Sequence, residues 1–415
     1  MLDPQGPEAT PRAPRRERQR PVALLFTAQL VGFGTRKTGM VFWAETLAKL
    51  GWDAHAVTVQ LSMLSRLAGS TRLDPVPAAE RNAWLRRGVN LSSYVWIPLL
   101  HPARLGGVLD AIAGRLLCSV YPRLLPQSIR EVAARADLIV IESCSAVALF
   151  PFLKRLAPAA RFVYCASDRL DVVGMQPALS DILGETAPHY DLVRVPARSM
   201  IADFSPPTRA QFIPHGIDKA AFDSALPRPY PAGSKNAVVA GEMMFDREVV
   251  LSLAERFPEV TFHAFGRMPL ADVTHLANLR FHGEVPFRSL VPYLIHADVG
   301  LAPYLYQPRL DYLAESSLKL LQYTYCRLPI VAPQFASSGQ PHVIGYAAGD
   351  AASAAQAMER AVRFDRATIG SNAAADWSEM MRAVLAAAGL AAINSANEQA
   401  VEQINEQASG ASVIR

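Results

Sequence analysis

The sequence predicts two α/β domains, each built on a doubly wound parallel sheet, that face one another across a cleft. The chain has 415 residues, which is longer than one hydrophobic core usually spans. Short apolar runs alternate with amphipathic segments from end to end, which is typical of stacked βα units. The proline-rich residues 205–235 interrupt this alternation, because their prolines prevent a continuous helix or a central strand.

The alternation predicts elements in both halves. The first half has predicted strands at 22–28, 54–59, 94–99, 138–141, 162–166 and 192–195, with helices at 39–50, 106–120, 128–136, 145–157 and 175–186. The second has predicted strands at 238–241, 261–265, 279–281, 299–302 and 330–332, with helices at 247–256, 287–297, 317–326 and 352–363. We expect a disordered basic tail (1–20), an N-terminal Rossmann-like domain (21–205), a linker (206–235), a C-terminal Rossmann-like domain (236–375), a helix packing back on the first domain (376–390) and a flexible tail (391–415).

Composition and charge exclude several classes of protein. With 51% hydrophobic and 19% charged residues, the chain is neither a disordered segment nor a collagen-like repeat. Its four cysteines form no CxxC pair, which is typical of a reduced, cytosolic protein. Residues 1–210 carry 25 basic and 17 acidic side chains, whereas residues 211–415 carry 16 and 20. The basic first half fits a phosphorylated substrate, an acidic membrane surface or a nucleic acid, although a solvated surface has the same charge.

Leader and cofactor motifs are incomplete. Basic residues 15–20 precede an apolar run, but glycines and a basic pair follow at 32–37 without a cleavage site, and no run reaches the ~20 apolar residues of a spanning helix. We therefore expect neither a signal peptide nor a transmembrane helix. Gly32-Phe33-Gly34 follows the first predicted strand, but Lys37 replaces the third glycine of a dinucleotide fingerprint. Because this fingerprint is incomplete, we expect no nicotinamide cofactor. P-loop, HExxH and Asp-x-Asp motifs are also missing, so we expect no protein-held metal.

The most informative segment joins a predicted strand, ending near Tyr304, to a predicted helix. Ser316 or Ser317 can cap this helix, whose free N–H groups favour a phosphate. Lys319 falls in the first turn, and Gln322 lies three residues later on the same face. The segment predicts a diphosphate site, although an amphipathic helix with a surface lysine would have the same pattern.

Asp168 is the second candidate, because it follows the buried run 164–166. A lone aspartate after a strand most often caps a helix or occupies a turn. At the carboxyl end of its strand, however, it would face the cleft opposite the diphosphate site. A carboxylate placed there can accept a proton from an incoming hydroxyl.

These segments resemble the GumK family, the inverting glucuronosyltransferases of xanthan-type exopolysaccharide assembly. The resemblance covers roughly residues 20–380 and is carried by 164–168, 214–218, 243–246, 283–284, 302–304 and 316–323. It implies a GT-B fold, with an acceptor-binding first domain and a second domain that binds the donor UDP-glucuronate. It also implies a monotopic enzyme, peripheral at the cytoplasmic face of the inner membrane, that transfers glucuronate to a polyprenyl-diphosphate-linked oligosaccharide.

The resemblance also assigns residues. It places the general base at Asp168 and the nucleotide contacts at Met243, Glu284, Tyr304, Leu318, Lys319 and Gln322. We expect Val285 and Ser317, which neighbour these positions, to contact the nucleotide sugar as well. Further possible cleft residues are Arg36, Lys37, Arg169, Asp203, His215 and Asp218. The family has glycine, serine and methionine where this chain has Arg169, Glu242 and Val285, which leaves the acceptor open. The glutamate pair of retaining GT-B enzymes is replaced by Ala314 and Gln322, which favours inversion.

Other interpretations stay open at this stage. Arg309, Arg36 and Lys37 are candidates for binding the uronate carboxylate. Basic residues surround the apolar positions at 61–67 and 84–85, namely Arg66, Arg72, Arg81, Arg86 and Arg87. A buried helix with a basic rim fits this pattern nearly as well as an anionic lipid surface. Alternative functions are a transferase for another UDP- or GDP-sugar and a catalytically inactive GT-B subunit of a polysaccharide assembly complex. Nucleic-acid binding is not expected, because no reader motif accompanies the basic residues.

Overall fold

The first sheet forms from the six predicted apolar runs and gains two short strands at its edges. The computed structural model describes residues 20–33, 37–370 and 374–399. The strands are β1 (Val22–Thr27), β2 (Asp53–Thr58), β3 (Trp84–Arg86), β4 (Leu91–Val95), β5 (Leu138–Glu142), β6 (Arg161–Cys165), β7 (Leu192–Val195) and β8 (Ala210–Phe212). They lie in the order β3-β4-β2-β1-β5-β6-β7-β8, and every pair is parallel except β3 with β4.

Helices fill the crossovers between these strands. They are α1 (Gly39–Lys49), α2 (Met63–Leu67), α3 (Gly107–Val120), α4 (Gln127–Arg135), α5 (Phe150–Leu156) and α6 (Pro177–Thr186). The central strands β1 and β5 are buried at every residue, as expected of a parallel sheet that is covered on both faces. Among the described residues, no helix combines the length and apolar character needed to cross a bilayer.

A second, wholly parallel sheet follows the short helix α7 (Lys219–Phe222). Its order is β11-β10-β9-β12-β13-β14. The strands are β9 (Lys235–Ala240), β10 (Val260–Phe265), β11 (Leu279–Gly283), β12 (Val299–Leu301), β13 (Ile330–Pro333) and β14 (Val343–Tyr346). The helices are α8 (Arg247–Arg256), α9 (Phe287–His296), α10 (Leu313–Ser316), α11 (Leu318–Tyr325), α12 (Ala351–Val362) and α13 (Trp377–Ala387). In each sheet the strand order reverses beside the first strand, where open α/β sheets bind ligands.

The chain returns to the first domain after the second sheet. In α13 the ring of Trp377 stacks on Phe42 of α1, with ring centres 4.8 Å apart. Gly216 lies where this segment crosses the first interdomain connection, and a Cβ there would lie only 2.7 Å from the Cα of Trp377. Glycine is therefore required at this crossing.

Three predicted segments differ in the structure. The predicted strand 94–99 is observed as β4 at 91–95, and residues 96–99 lie outside it. The predicted linker 206–235 contains β8, whose three residues form the edge of the first sheet, a position where flanking prolines are tolerated. Residues 391–399 are helical rather than a flexible tail. Their polar composition is misleading because Asn394 and Asn397 are buried: Asn394 accepts from the Trp52 indole (3.0 Å) and Asn397 donates to the Leu50 carbonyl (2.6 Å). Residues 1–19 and 400–415, where the predicted tails lie, are outside the described residues.

Candidate active site

The carboxyl ends of both sheets open onto one cavity, which we call the interdomain cleft. It has a volume of about 300 Å³. Residues that follow β1, β5 and β6 line its first-domain wall, and residues that follow β9 to β12 line its second-domain wall together with the start of α11. The cleft therefore lies at the switch points of both sheets.

Eleven of the residues predicted from the sequence line this cleft. They are Lys37, Asp168, His215, Met243, Glu284, Val285, Tyr304, Ser317, Leu318, Lys319 and Gln322. Arg169, Asp203 and Asp218 do not line it, and Arg36 lies outside the described residues.

The second-domain wall is centred on the start of α11. A break at Ser317, with φ −69° and ψ 111°, separates α10 from α11 and exposes the new helix end. The Ser317 hydroxyl accepts from the Leu320 N–H (3.3 Å) and shares a hydrogen bond with the Tyr304 hydroxyl 2.7 Å away. The Lys319 ammonium lies 4.8 Å from the centre of the Tyr304 ring. Backbone N–H groups and a full cation therefore lie together at this wall, where they favour an anion.

Glycines let the strand ends β9 and β10 approach each other at this wall. Gly241 and Gly266 have φ values of +88° and +130°, which side-chain-bearing residues rarely adopt. The next residue, Arg267, ties the neighbouring loops together. Its backbone N–H donates to Glu242 (3.0 Å) and its Nε donates to Glu284 (2.9 Å). The outer part of the wall is therefore held by an arginine shared between two carboxylates.

Asp168 lies on the first-domain wall, directly after β6. Its backbone N–H donates to the Ser143 hydroxyl (3.0 Å), and its Oδ1 accepts from the hydroxyl of Tyr312 (2.9 Å), which belongs to the second domain. Burial raises the pKa of Asp168 to about 7; the Tyr312 hydrogen bond lowers it, and nearby Glu142 raises it. The carboxyl group therefore titrates near neutral pH, as a general base requires.

Sequence reasoning missed both neighbours that set this pKa. Glu142 ends β5, accepts from the Thr27 hydroxyl (2.6 Å) and the Ala28 N–H (3.0 Å), and has its own pKa raised by burial. An acid at the end of the strand next to β6 was a usable signal, because adjacent parallel strands end at the same edge. Tyr312 had no such signal: it is 144 residues from Asp168 and reaches it only through the fold.

An ion-pair cluster beside the cleft accounts for three residues that the sequence placed in it. Arg169, which is largely buried, donates to Asp203 (2.7 Å) and Asp311 (2.9 Å). Arg309 donates to Asp203 (2.9 Å) and to Asp171. The charges of Arg169, Asp203 and Arg309 are therefore balanced, together with Asp171 and Asp311, within a cluster that spans the domain boundary. The cluster also holds the loop that carries Tyr312 against the first domain.

Asp218 and His215 are close in sequence, but only His215 lines the interdomain cleft. Asp218 caps the short helix α7 by accepting from the Ala221 N–H (3.2 Å), so its role in the structure is local. His215 lines the cleft, and burial lowers its pKa well below the usual value. In the described parts of the chain, no group of three or more His, Cys, Asp or Glu side chains is arranged to hold a metal ion.

Comparison with known proteins identifies the family. The model described as "Glucuronosyltransferase GumK, N-terminal domain" matches residues 25–196. The UDP-glucuronate:glycolipid 2-beta-glucuronosyltransferase of Xanthomonas campestris pv. campestris is 31% identical over 382 residues, which cover 91% of this chain and 92% of the relative. The chain belongs to the GumK family.

Solved structures extend the family assignment to the fold. Sucrose-phosphate synthase from Thermosynechococcus elongatus is similar with a TM-score of 0.55 at 15% identity, covering 94% of this chain and 100% of that one. HepE from Anabaena, solved with UDP and glucose, is similar with a TM-score of 0.53 at 14% identity, covering 92% and 99%. This GumK-family chain therefore has the GT-B fold that the sequence predicted.

Proposed function

We propose that this chain transfers glucuronate from UDP-glucuronate to a polyprenyl-diphosphate-linked oligosaccharide in exopolysaccharide biosynthesis, with inversion and without a metal ion. The observation that carries the proposal is that Asp168 and Lys319, from different domains, line the same cleft. The Xanthomonas relative, named for UDP-glucuronate and a glycolipid acceptor, supports the choice of donor and of acceptor class.

Asp168 acts as the general base in this proposal. The acceptor hydroxyl loses its proton to the carboxylate as its oxygen bonds to the anomeric carbon, on the face opposite UDP. The product is therefore the β-glycoside of an α-linked donor. Because Tyr312 occupies Oδ1, it orients the carboxylate so that Oδ2 receives the proton.

Lys319 and the start of α11 stabilise the leaving group. As the bond between the anomeric carbon and the diphosphate breaks, negative charge builds on the departing oxygen. The Lys319 ammonium, the first N–H groups of α11 and the Tyr304 hydroxyl are placed to stabilise that charge, which is the task a metal ion performs in other transferases. The walls of the cleft also limit the access of water to the donor.

A donor panel tests the activity. Purified protein is incubated with UDP-glucuronate, UDP-glucose or a GDP-sugar, a polyprenyl-diphosphate oligosaccharide and EDTA, and the product is analysed by mass spectrometry and NMR. We expect transfer from UDP-glucuronate alone, in EDTA, with a β linkage. Consumption of another sugar nucleotide in its place, an α linkage, or loss of activity in EDTA would contradict the corresponding part of the proposal.

An exposed apolar surface on the first domain supports membrane association. In α3 four apolar side chains are 58–73% exposed, namely Val108, Leu109, Ile112 and Leu116. In α2 three more are 49–81% exposed, namely Met63, Leu64 and Leu67. The start of α2 contacts the segment that leads into α3, because the Ser62 hydroxyl that caps α2 lies 2.9 Å from the ring of His101. Patches of this kind mark interaction sites.

The charges beside this surface favour an anionic bilayer as its partner. Arg66 is exposed within α2, and Arg104 is exposed shortly before α3, with its Nε 3.9 Å from the carboxylate of the buried Asp110. The surface is only partly the one the sequence indicated: Leu61 is buried, and Arg72 donates to the carbonyls of Gln60 (3.1 Å) and Ala28 (2.6 Å). We propose that α2 and α3 rest on the cytoplasmic face of the inner membrane, with their apolar side chains below the headgroups.

Flotation with vesicles tests this orientation. Vesicles containing phosphatidylglycerol should carry the protein upward at low salt, and the double variant Ile112→Glu, Leu116→Glu should remain at the bottom. Ile201→Glu is the matched control, because Ile201 is an exposed apolar residue outside both helices. Equal flotation of all three proteins would refute the assignment of α3 to the membrane.

A further inference from the structure

The first-domain wall of the cleft contains a helix start that the proton transfer does not use. Lys37, Thr38 and Gly39 lie where α1 begins, and a Cβ at Gly39 would lie 3.6 Å from the ring of His215. All four residues line the interdomain cleft. The helix has 11 residues and no acidic residue in its first turn, so no carboxylate of its own offsets its free N–H groups.

Side chains at this helix start lack partners that their burial calls for. Thr38 is the N-cap residue but makes no capping hydrogen bond, and its buried Oγ1 has no hydrogen-bond partner in the described structure. The buried Nδ1 of His215 is in the same situation among the described residues. Buried polar groups of this kind are costly unless a ligand or water satisfies them.

A buried cation lies behind these groups. Arg194 of β7 is fully buried, beside the Cys165 thiol and 5.8 Å from the ring of Trp43 in α1. Within the described residues, none of its guanidinium nitrogens reaches an oxygen or nitrogen acceptor. Its charge acts on His215, which faces the cleft. The unsatisfied polar groups and the helix start thus lie together on this wall, while Arg194, which is buried and does not line the cleft, has no carboxylate partner among the described residues.

We propose that the start of α1, with Lys37, Thr38 and His215, forms the subsite for the carboxylate of the transferred uronate. This inference rests on the proposed function and identifies what selects the donor. The carboxylate of a uronate is attached next to the ring oxygen, so it lies within one sugar ring of the anomeric carbon and hence close to Asp168. The donor is anionic at both ends, and two helix starts on opposite walls receive the two charges: α11 the diphosphate and α1 the carboxylate.

The neighbouring cations are consistent with this assignment. Lys37 lies 2.7 Å from Glu45 at the rim, and it lines the cleft. Arg309, which the sequence offered for the same role, is paired with Asp171 and Asp203 outside the cleft. A neutral sugar such as glucose would leave the Thr38 hydroxyl and the helix start unsatisfied, which is how a polar subsite rejects the wrong donor.

Donor preference tests the subsite. The variants Thr38→Val and Lys37→Gln are compared with Lys49→Gln, an exposed lysine at the other end of the same helix. We expect each of the first two to lower kcat/KM for UDP-glucuronate about ten- to a hundredfold, mainly through KM, because a hydrogen bond to a charged group is lost. Their Kd for UDP-glucose and their Kd for UDP should stay within about twofold of those of Lys49→Gln, since neither ligand has the carboxylate.

The outcomes separate this inference from the proposed function. A matching rise in the Kd for UDP-glucose would mean that the helix start only shapes the cleft. A higher KM for the lipid-linked acceptor alone would assign the anion to the diphosphate of the acceptor. Either result overturns the carboxylate subsite while the transferase stands. Absence of transfer by the unmodified protein would instead refute the function. Thr38→Ser retains the hydroxyl and should therefore retain the preference for UDP-glucuronate. Loss of this preference in Thr38→Ser at an unchanged melting temperature would also overturn the subsite.

Discussion

Replacing Asp168 by asparagine should abolish transfer and, at the same time, stabilise the protein, most strongly above neutral pH. Burial raises the pKa of Asp168 from 3.8 to about 7. The folded state therefore favours the protonated carboxyl, and the stability this group contributes is present below pH 3.8 and lost as the pH rises through 7. Asparagine is neutral at every pH, and its side-chain oxygen can still accept from Tyr312.

The size of the effect follows from the change in pKa. At about 1.4 kcal/mol per pH unit between the two pKa values, the Asp168→Asn variant should gain about 2 kcal/mol in unfolding free energy at pH 5 and about 4 kcal/mol at pH 8. Urea unfolding followed by tryptophan fluorescence measures this difference, because Trp43, Trp52 and Trp96 are buried in the first domain. Transfer should fall by about a hundred- to ten-thousandfold while UDP binds almost unchanged.

The combination of activity and stability distinguishes a catalytic acid from a structural one. A structural aspartate that caps or pairs in the fold would make the variant less stable at pH 8. Destabilisation at pH 8, a parallel loss of UDP binding, or transfer within tenfold of the unmodified protein would each refute the reasoning.

Three more predictions follow from the groups around Asp168. The rate should rise with pH through about 7, since the base must be ionised. Tyr312→Phe should move this rise to higher pH, because it removes a hydrogen bond that lowers the pKa of Asp168. Tyr306→Phe, at an exposed tyrosine, is the control, and an unchanged pH profile in Tyr312→Phe would contradict the role of Tyr312. Glu142→Gln should move the rise to lower pH, because the Glu142 charge raises the pKa of Asp168; a shift in the opposite direction would contradict it. Lys319→Met should lower kcat about a hundred- to a thousandfold, as measured in steady-state transfer assays, and a change confined to KM would show that Lys319 binds the donor without stabilising the leaving group.

The sequence was informative where function is encoded in one contiguous segment. The strand, cap and first-turn lysine from Tyr304 to Gln322 are local features, and the structure brings them together at one wall of the cleft. Asp168 was accessible for a similar reason, since a polar residue directly after a buried strand must lie at the carboxyl edge of a parallel sheet.

Features that depend on contacts distant in sequence were beyond this reasoning. The pairing of Arg169 with Asp203 and Asp311 requires the second domain, so a charged residue next to the base was taken for a cleft residue. The segment after residue 390 was wrongly predicted to be a flexible tail because its composition is polar. Composition does not show that Asn394 and Asn397 form hydrogen bonds with specific buried groups of the first domain. The exposed apolar side chains of α3 were missed because the sequence pattern of an apolar helix is the same whether it packs in a core or against a membrane.

A crystal structure of the Asp168→Asn variant soaked with UDP-glucuronate tests most directly whether two domains build one active site. We predict density for the diphosphate at the start of α11 beside Lys319, with the anomeric carbon within about 6 Å of the side chain at position 168, which leaves room for one acceptor oxygen between them. Density for the donor on any other surface, or an anomeric carbon turned away from position 168, would contradict the proposed transfer.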